Sequence, residues 1–167
     1  GGCPVHKVTR SGSGAALMRD PKLVERLVAA TVKGTTLPVS FKTRIGLHPG
    51  EITIDDVARA VEAGGASQLT VHGRVASKEH HGDVDFALLK RAVELVSIRV
   101  VVNGGIRTPQ DAKRMLEETG AKEIMLGQGA MGNPWLFKRI SEYVNNGIEL
   151  PPPDTDELMQ VLAEHFK

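Results

Sequence analysis

Cysteine occurs once in the 167 residues, at Cys3, so no internal disulfide can form and no Cys/His spacing of the structural-zinc kind exists. No metal is assigned on this pattern. His80 and His81 are adjacent, which does not by itself make their rings converge, and no Ser/His/Asp arrangement stands out. Long apolar runs are missing as well. The chain is 41% hydrophobic and 25% charged, as an ordinary globular domain is, and nothing in it approaches the ~20 residues of a membrane-spanning helix. No membrane association is expected. Net charge is nearly absent: 21 Lys and Arg against 20 Asp and Glu leave +1, which gives no broad electrostatic footprint for nucleic acid and leaves only a local basic patch open. No charged-then-apolar leader opens the sequence, and a reducing cytoplasm is the expected setting.

What the chain does have is a regular alternation of strand-like and helix-like segments. Asp20 followed by Pro21, with Leu23, Val24, Leu27 and Val28 at helical spacing, predicts an amphipathic helix ending near Gly34. Val39, Phe41 and Thr43 then alternate with Ser40, Lys42 and Arg44, the period of a strand with two unlike faces. Thr53 is placed as the cap of a helix through Ala63, with Asp55 and Asp56 in its first turn. A second alternating strand, Ser67 to His72, leads into a long polar loop, Gly73 to Asp83, and a helix from about Asp85 to Val96. Val100, Val101 and Val102 form the apolar run of a buried parallel strand, Thr108-Pro109 starts the next helix, and Gly120 stops it. Glu123 to Leu126 reads as another buried strand, before a helix from about Trp135 to Asn146.

Four strand–helix units in succession predict an α/β fold with a parallel sheet and right-handed crossovers. An open doubly wound sheet is possible, but polar residues at the strand ends suit a TIM-type (β/α)8 barrel better. A whole barrel takes about 250 residues, so residues 1–149 are expected to be its second half, entered in mid-fold at the Gly1-Gly2-Cys3-Pro4 turn. The Pro151-Pro152-Pro153 tract reads as a semi-rigid linker, and residues 150–167 as that linker plus the first helix, Thr155 to about Phe166, of a helical domain.

The chemistry gathers at strand ends. Asn103-Gly104-Gly105 closes one strand and Gly127-Gln128-Gly129 the next, and bare N–H groups in two neighbouring glycine turns are how barrels build a phosphate site. One such turn would be mere punctuation. Lys42 and His72 sit near the ends of their strands and should point into one pocket, with Arg44 and Arg74 following each at the same spacing. A cation beside a redox-active ring stabilises the negative charge of its reduced form, and a histidine there can donate a hydrogen bond. Solvated residues at an ordinary barrel mouth are the alternative. Cys3, between Gly2 and Pro4, would lie over the same pocket, although a lone cysteine is more often inert packing.

These residues together resemble the tRNA-dihydrouridine synthases. The likeness rests on Gly2-Cys3-Pro4 with Lys7-Val8, Lys42 within Lys-Thr-Arg, His72-Gly73-Arg74, Asn103-Gly104-Gly105, and Gly127 through Phe137, in order from Gly1 to about Val144. It implies an FMN-bound (β/α)8 barrel that uses NADPH to reduce uridine in tRNA to 5,6-dihydrouridine. Carried over by position, Cys3 would be the acid that protonates C5, and an ordinary thiol, mostly protonated near neutral pH, suits that task. Lys42 and His72 would touch the flavin ring system, and Asn103, Gly104, Gly105, Gly127 and Gln128 would hold the ribityl phosphate. Because the target base must leave its stack, Lys7, Arg10, Arg74 and Lys78 would contact the RNA backbone rather than read bases. The chain departs from the family at Gln128, commonly arginine, at Gly105, commonly acidic, and near His80, where an aromatic is usual. Losing arginine removes a charge but not the backbone donors. Two other readings stay open: a different phosphate-binding barrel, either an FMN oxidoreductase for a small pyrimidine or a sugar-phosphate enzyme, and an inactive truncated remnant.

Overall fold

The computed structural model describes residues 1–166. In chain order its elements are α1 (His6–Thr9), α2 (Pro21–Lys33), β1 (Ser40–Arg44), β2 (Gly46–His48), β3 (Glu51–Ile52), α3 (Ile54–Ala63), β4 (Gln68–His72), α4 (Phe86–Leu95), β5 (Arg99–Asn103), α5 (Pro109–Thr119), β6 (Glu123–Met125), α6 (Trp135–Asn146) and α7 (Thr155–His165). Short 3-10 turns lie at Gly14–Arg19, Ala76–Lys78 and Gln128–Ala130. The sheet that organises them is four-stranded and wholly parallel, in the order β1-β4-β5-β6. Each of its strands is followed by a helix before the next begins, which is the repeating unit of a TIM-type barrel.

The two faces of the sheet follow from the two-residue period of a strand. Thr43, Val71 and Val102 are buried and lie side by side, in register with Ile124, while Leu69 and Val100 form the row next to them. They share one apolar core with Val57 and Val61 of α3, Leu89 and Ala92 of α4, and Ala112 and Met115 of α5. Each fully buried aliphatic side chain there contributes about 1.5–3 kcal/mol. The opposite face carries Arg44, His72, Asn103 and Met125 in a single cross-strand row at the C-terminal ends. Helix starts match their local chemistry: Asp20 accepts the Leu23 N–H at the head of α2, and Thr108 with Asp111 forms a capping box on α5, which Gly120 ends with φ 71°.

Three expectations change. Thr53 precedes α3 but does not cap it, because its hydroxyl is buried without a partner; the Ile45 carbonyl accepts the N–H groups of Thr53 and Ile54 instead. β6 stops at Met125 and is only half-buried, since its outer side has no neighbouring strand among the described residues. Between β1 and α3 the chain forms the antiparallel β2–β3 pair, turning at Pro49-Gly50, a dipeptide that marks turns and was the available signal for it. Among the described residues no helix is long and apolar enough to cross a membrane. At the C-terminal end α7 buries none of its residues and is tied back through Trp135, whose indole N–H donates to Glu157 Oε1 at 2.6 Å.

Candidate active site

The strand ends open onto a cleft of about 1030 Å³, bordered by Cys3, Lys42, His72, Asn103, Gly104, Gly105, Gly127 and Gln128. Asn103 orders its floor. Its amide nitrogen donates to the Met125 carbonyl at 2.7 Å, so its oxygen is left to accept from Lys42 Nζ at 3.4 Å. Partial burial and then the charge of Arg44 hold the Lys42 ammonium below its ordinary pKa.

His72, 6% exposed, is lowered from 6.5 to about 3, chiefly by burial and further by Arg44, Lys42, Arg74 and His80. It is therefore neutral throughout the physiological range. Arg74 Nη1 lies 3.3 Å from His72 Nε2, and since a guanidinium can only donate, Nε2 accepts and the ring proton sits on Nδ1.

Arg44 has a part that spacing did not reveal. It is 4% exposed, and although it borders the cleft its donors go to backbone: Nε to the Gly2 carbonyl at 3.0 Å, and Nη1 to the carbonyls of Glu79 at 2.6 Å and Val75 at 3.4 Å. Neither a solvated residue at the mouth nor a spare charge for a ring, it ties three segments together. The Gly2 end of that tie anchors the loop bearing Cys3, whose carbonyl accepts the Ala15 N–H at 2.9 Å. The cysteine is free and exposed, held by its backbone on both sides.

Across the cleft the two glycine turns press against each other. A Cβ on Gly129 would fall on the Ile106 carbonyl oxygen, and one on Gly104, at φ 124°, would come within 2.9 Å of His72 Cδ2. Only a chain without side chains at these positions leaves the N–H groups open to a ligand. Of the four cations expected at RNA, Arg74 borders this cleft, while Lys7 is exposed on α1, Arg10 borders a separate hollow of about 370 Å³, and Lys78 borders a third of about 490 Å³. The structure does not bring those four together. Arg107 also borders the central cleft, a residue that sequence reasoning did not single out.

A parallel β/α sheet with glycine turns and polar side chains at its C-terminal rim is the architecture of a TIM-type barrel. The sequence specifies the class further: the family model described as dihydrouridine synthase (Dus) matches residues 1–167, and the chain belongs to that family. It is similar to tRNA-dihydrouridine synthase B of Yersinia pestis, 36% identical over 166 residues, 99% of this chain and 52% of the relative. The Shewanella oneidensis protein of that name is 37% identical over 165 residues, 99% and 51% respectively. A probable tRNA-dihydrouridine synthase of Rickettsia bellii is 36% identical over 166 residues, with coverage of 99% and 51%. The chain thus spans about half the length of the curated relatives it matches. A solved chain from the Amycolatopsis orientalis BexX/CysO complex aligns with 81% of this chain and 54% of its own at 19% identity and a TM-score of 0.49, too distant to bear on the site.

Proposed function

We propose that this chain forms part of a flavin-dependent oxidoreductase that reduces uridine in tRNA to 5,6-dihydrouridine. The observation that carries the reading is convergence: Cys3, Lys42, His72 and both glycine turns come from five separate segments and border one cleft. The residues present fit FMN. The cleft has room for a flavin, its two turns admit no Cβ at Gly104 and Gly129, and Lys42, Arg74 and Arg107 border it without an ion pair among the described residues.

Bound there, FMN supplies hydride chemistry to the pyrimidine, with NADPH as the source of electrons. Lys42 places a positive charge beside the ring system, oriented by Asn103. His72, neutral and protonated on Nδ1, offers a hydrogen bond without adding charge. Asn103, Gly104, Gly105, Gly127 and Gln128 hold the phosphate-bearing arm. Cys3 gives its thiol proton to C5 of the base, on a loop that Arg44 and Ala15 keep in place. Lys7, Arg10 and Lys78 contact the RNA backbone on surfaces outside the cleft while the target base, unstacked, enters it. Residues 150–167 begin a second, helical unit, and the setting is the cytoplasm, where tRNA and NADPH are both present.

The test is NADPH oxidation by the purified, FMN-loaded protein with and without unmodified tRNA. Oxidation that requires tRNA and yields dihydrouridine supports the reading. Turnover with a free pyrimidine but not with tRNA overturns it, and so does a protein that takes up no flavin.

A further inference from the structure

Neither glycine turn brings a charge of its own to the anion it would meet. The amide of Asn103, which also bonds Met125 and Lys42, is neutral, and so is Gln128 at the head of the second turn. Backbone N–H groups hydrogen-bond a phosphate dianion but leave its charge unneutralised, whereas a guanidinium brings a full positive charge and a bidentate fork.

Two guanidinium groups stand at this place. Arg74 is fixed by its Nε, which donates to the Gly82 carbonyl at 2.8 Å, and by Nη1 against His72, leaving Nη2 3.6 Å from where a Cβ of Gly105 would lie. Arg107 follows Ile106 in the segment onto which Gly129 packs, so it sits where the two turns meet. Its guanidinium makes no hydrogen bond and no ion pair among the described residues. The carboxylate of Asp111, which also borders the cleft, accepts the N–H groups of Arg107 and of Thr108 through Oδ2, the latter bond being part of the α5 capping box. The two arginines feel each other, since Arg74 is lowered first by burial and then by Arg107, with Asp83 opposing. Two like charges at one wall with no contacting carboxylate make that wall attractive to an anion.

We propose that Arg74 and Arg107 together form the charged clamp on the FMN phosphate, supplying from the β4 loop and from the β5–α5 loop what the glycine turns lack. This rests on the flavin reading above, and it takes Arg74 from the RNA surface to the cofactor. Arg74 and Arg107 are thus cofactor-binding residues whose role is electrostatic and confined to the phosphate.

Because riboflavin has the same ring and no phosphate, it isolates that role. Flavin-fluorescence titrations with FMN and with riboflavin would be run on the wild-type protein, on Arg107→Met, on Arg74→Met and on the double variant. The wild type should prefer FMN. The double variant should lose about 10- to 100-fold in FMN affinity while riboflavin affinity stays within about threefold, and lysine at both positions should restore part of the preference. Equal weakening of both flavins, or an unchanged preference, would overturn the clamp and leave the flavin reading standing. Should Arg74→Met fail to fold because it loses the Gly82 tie, Arg107→Met decides alone, its side chain being free of such contacts. A wild-type protein that binds neither flavin would sink the flavin reading and the clamp with it.

Discussion

Around Cys3, Lys42 and His72 the cleft is built from side chains whose donors go to named acceptors, whereas around Gly104, Gly105 and Gly129 it is built from backbone that admits no side chain. The first end is specified by what is present and the second by what is left out. They differ in how they fail. Removing a group from the first end deletes one chemical step and leaves the cleft's shape; adding a single carbon to the second end forces two backbone segments apart. A mutation at one end should therefore separate binding from chemistry, and at the other should lower both.

The largest separation is expected at Cys3. Cys3→Ala should still bind FMN and accept electrons from NADPH, while dihydrouridine formation falls by roughly 10²- to 10⁴-fold, the usual contribution of a positioned acid. Cys3→Ser should recover little. Stopped-flow flavin reduction and tRNA turnover on one preparation read both halves, and turnover per flavin within a few-fold of wild type would remove Cys3 from the chemistry. At the other end, Gly129→Ala must displace the Ile106 carbonyl and should destabilise the protein by about 2 kcal/mol and loosen flavin binding with it. Gly50→Ala, where a Cβ meets nothing within 4 Å, should stay within about 0.5 kcal/mol. Urea melts of the two variants giving the same midpoint would erase the contrast.

A further contrast is a pH dependence that belongs to the first end alone. His72 is lowered from 6.5 to about 3, so between these values the unfolded chain binds a proton that the folded one refuses. Stability from this group is complete above 6.5 and declines as pH falls from there toward 3. His72→Gln should flatten that part of the acid limb. Denaturation at pH 7 and pH 5 checks it, and parallel losses in wild type and variant would show that His72 is not the source.

Much of this was legible in the sequence for reasons that are local. Periodicity placed the four strands, and Asp20, Thr108-Pro109 and Gly120 marked helix boundaries through chemistry that spans only a few residues. The convergence of Cys3, Lys42, His72 and the glycine turns followed from barrel geometry once the strands were placed. What escaped depends on partners far apart in the chain. The use of Arg44 is set by carbonyls of Gly2, Val75 and Glu79, and no spacing around Arg44 encodes them. Thr53 looked like a cap because its neighbours fit one, yet its hydroxyl bonds no N–H of the first turn and is buried without a partner. Arg10, at the end of α1, and Lys78, in the 3-10 turn after β4, border different hollows, a separation that only the fold sets.

The row formed by Arg44, His72, Asn103 and Met125 makes the site a proofreader of its own folding. Slipping β1, β4 or β5 by a single residue would turn its polar member of the row into the layer of α3, α4 and α5 and push Thr43, Val71 or Val102 out into the cleft. A misregistered chain would bury a guanidinium or an imidazole among aliphatic side chains, an error costing several kcal/mol, about as much as the protein's whole stability margin allows. A population of folded but misaligned molecules is thus disfavoured by the same row of side chains that borders the cleft, so one set of positions fixes both the register and the lining of the cleft.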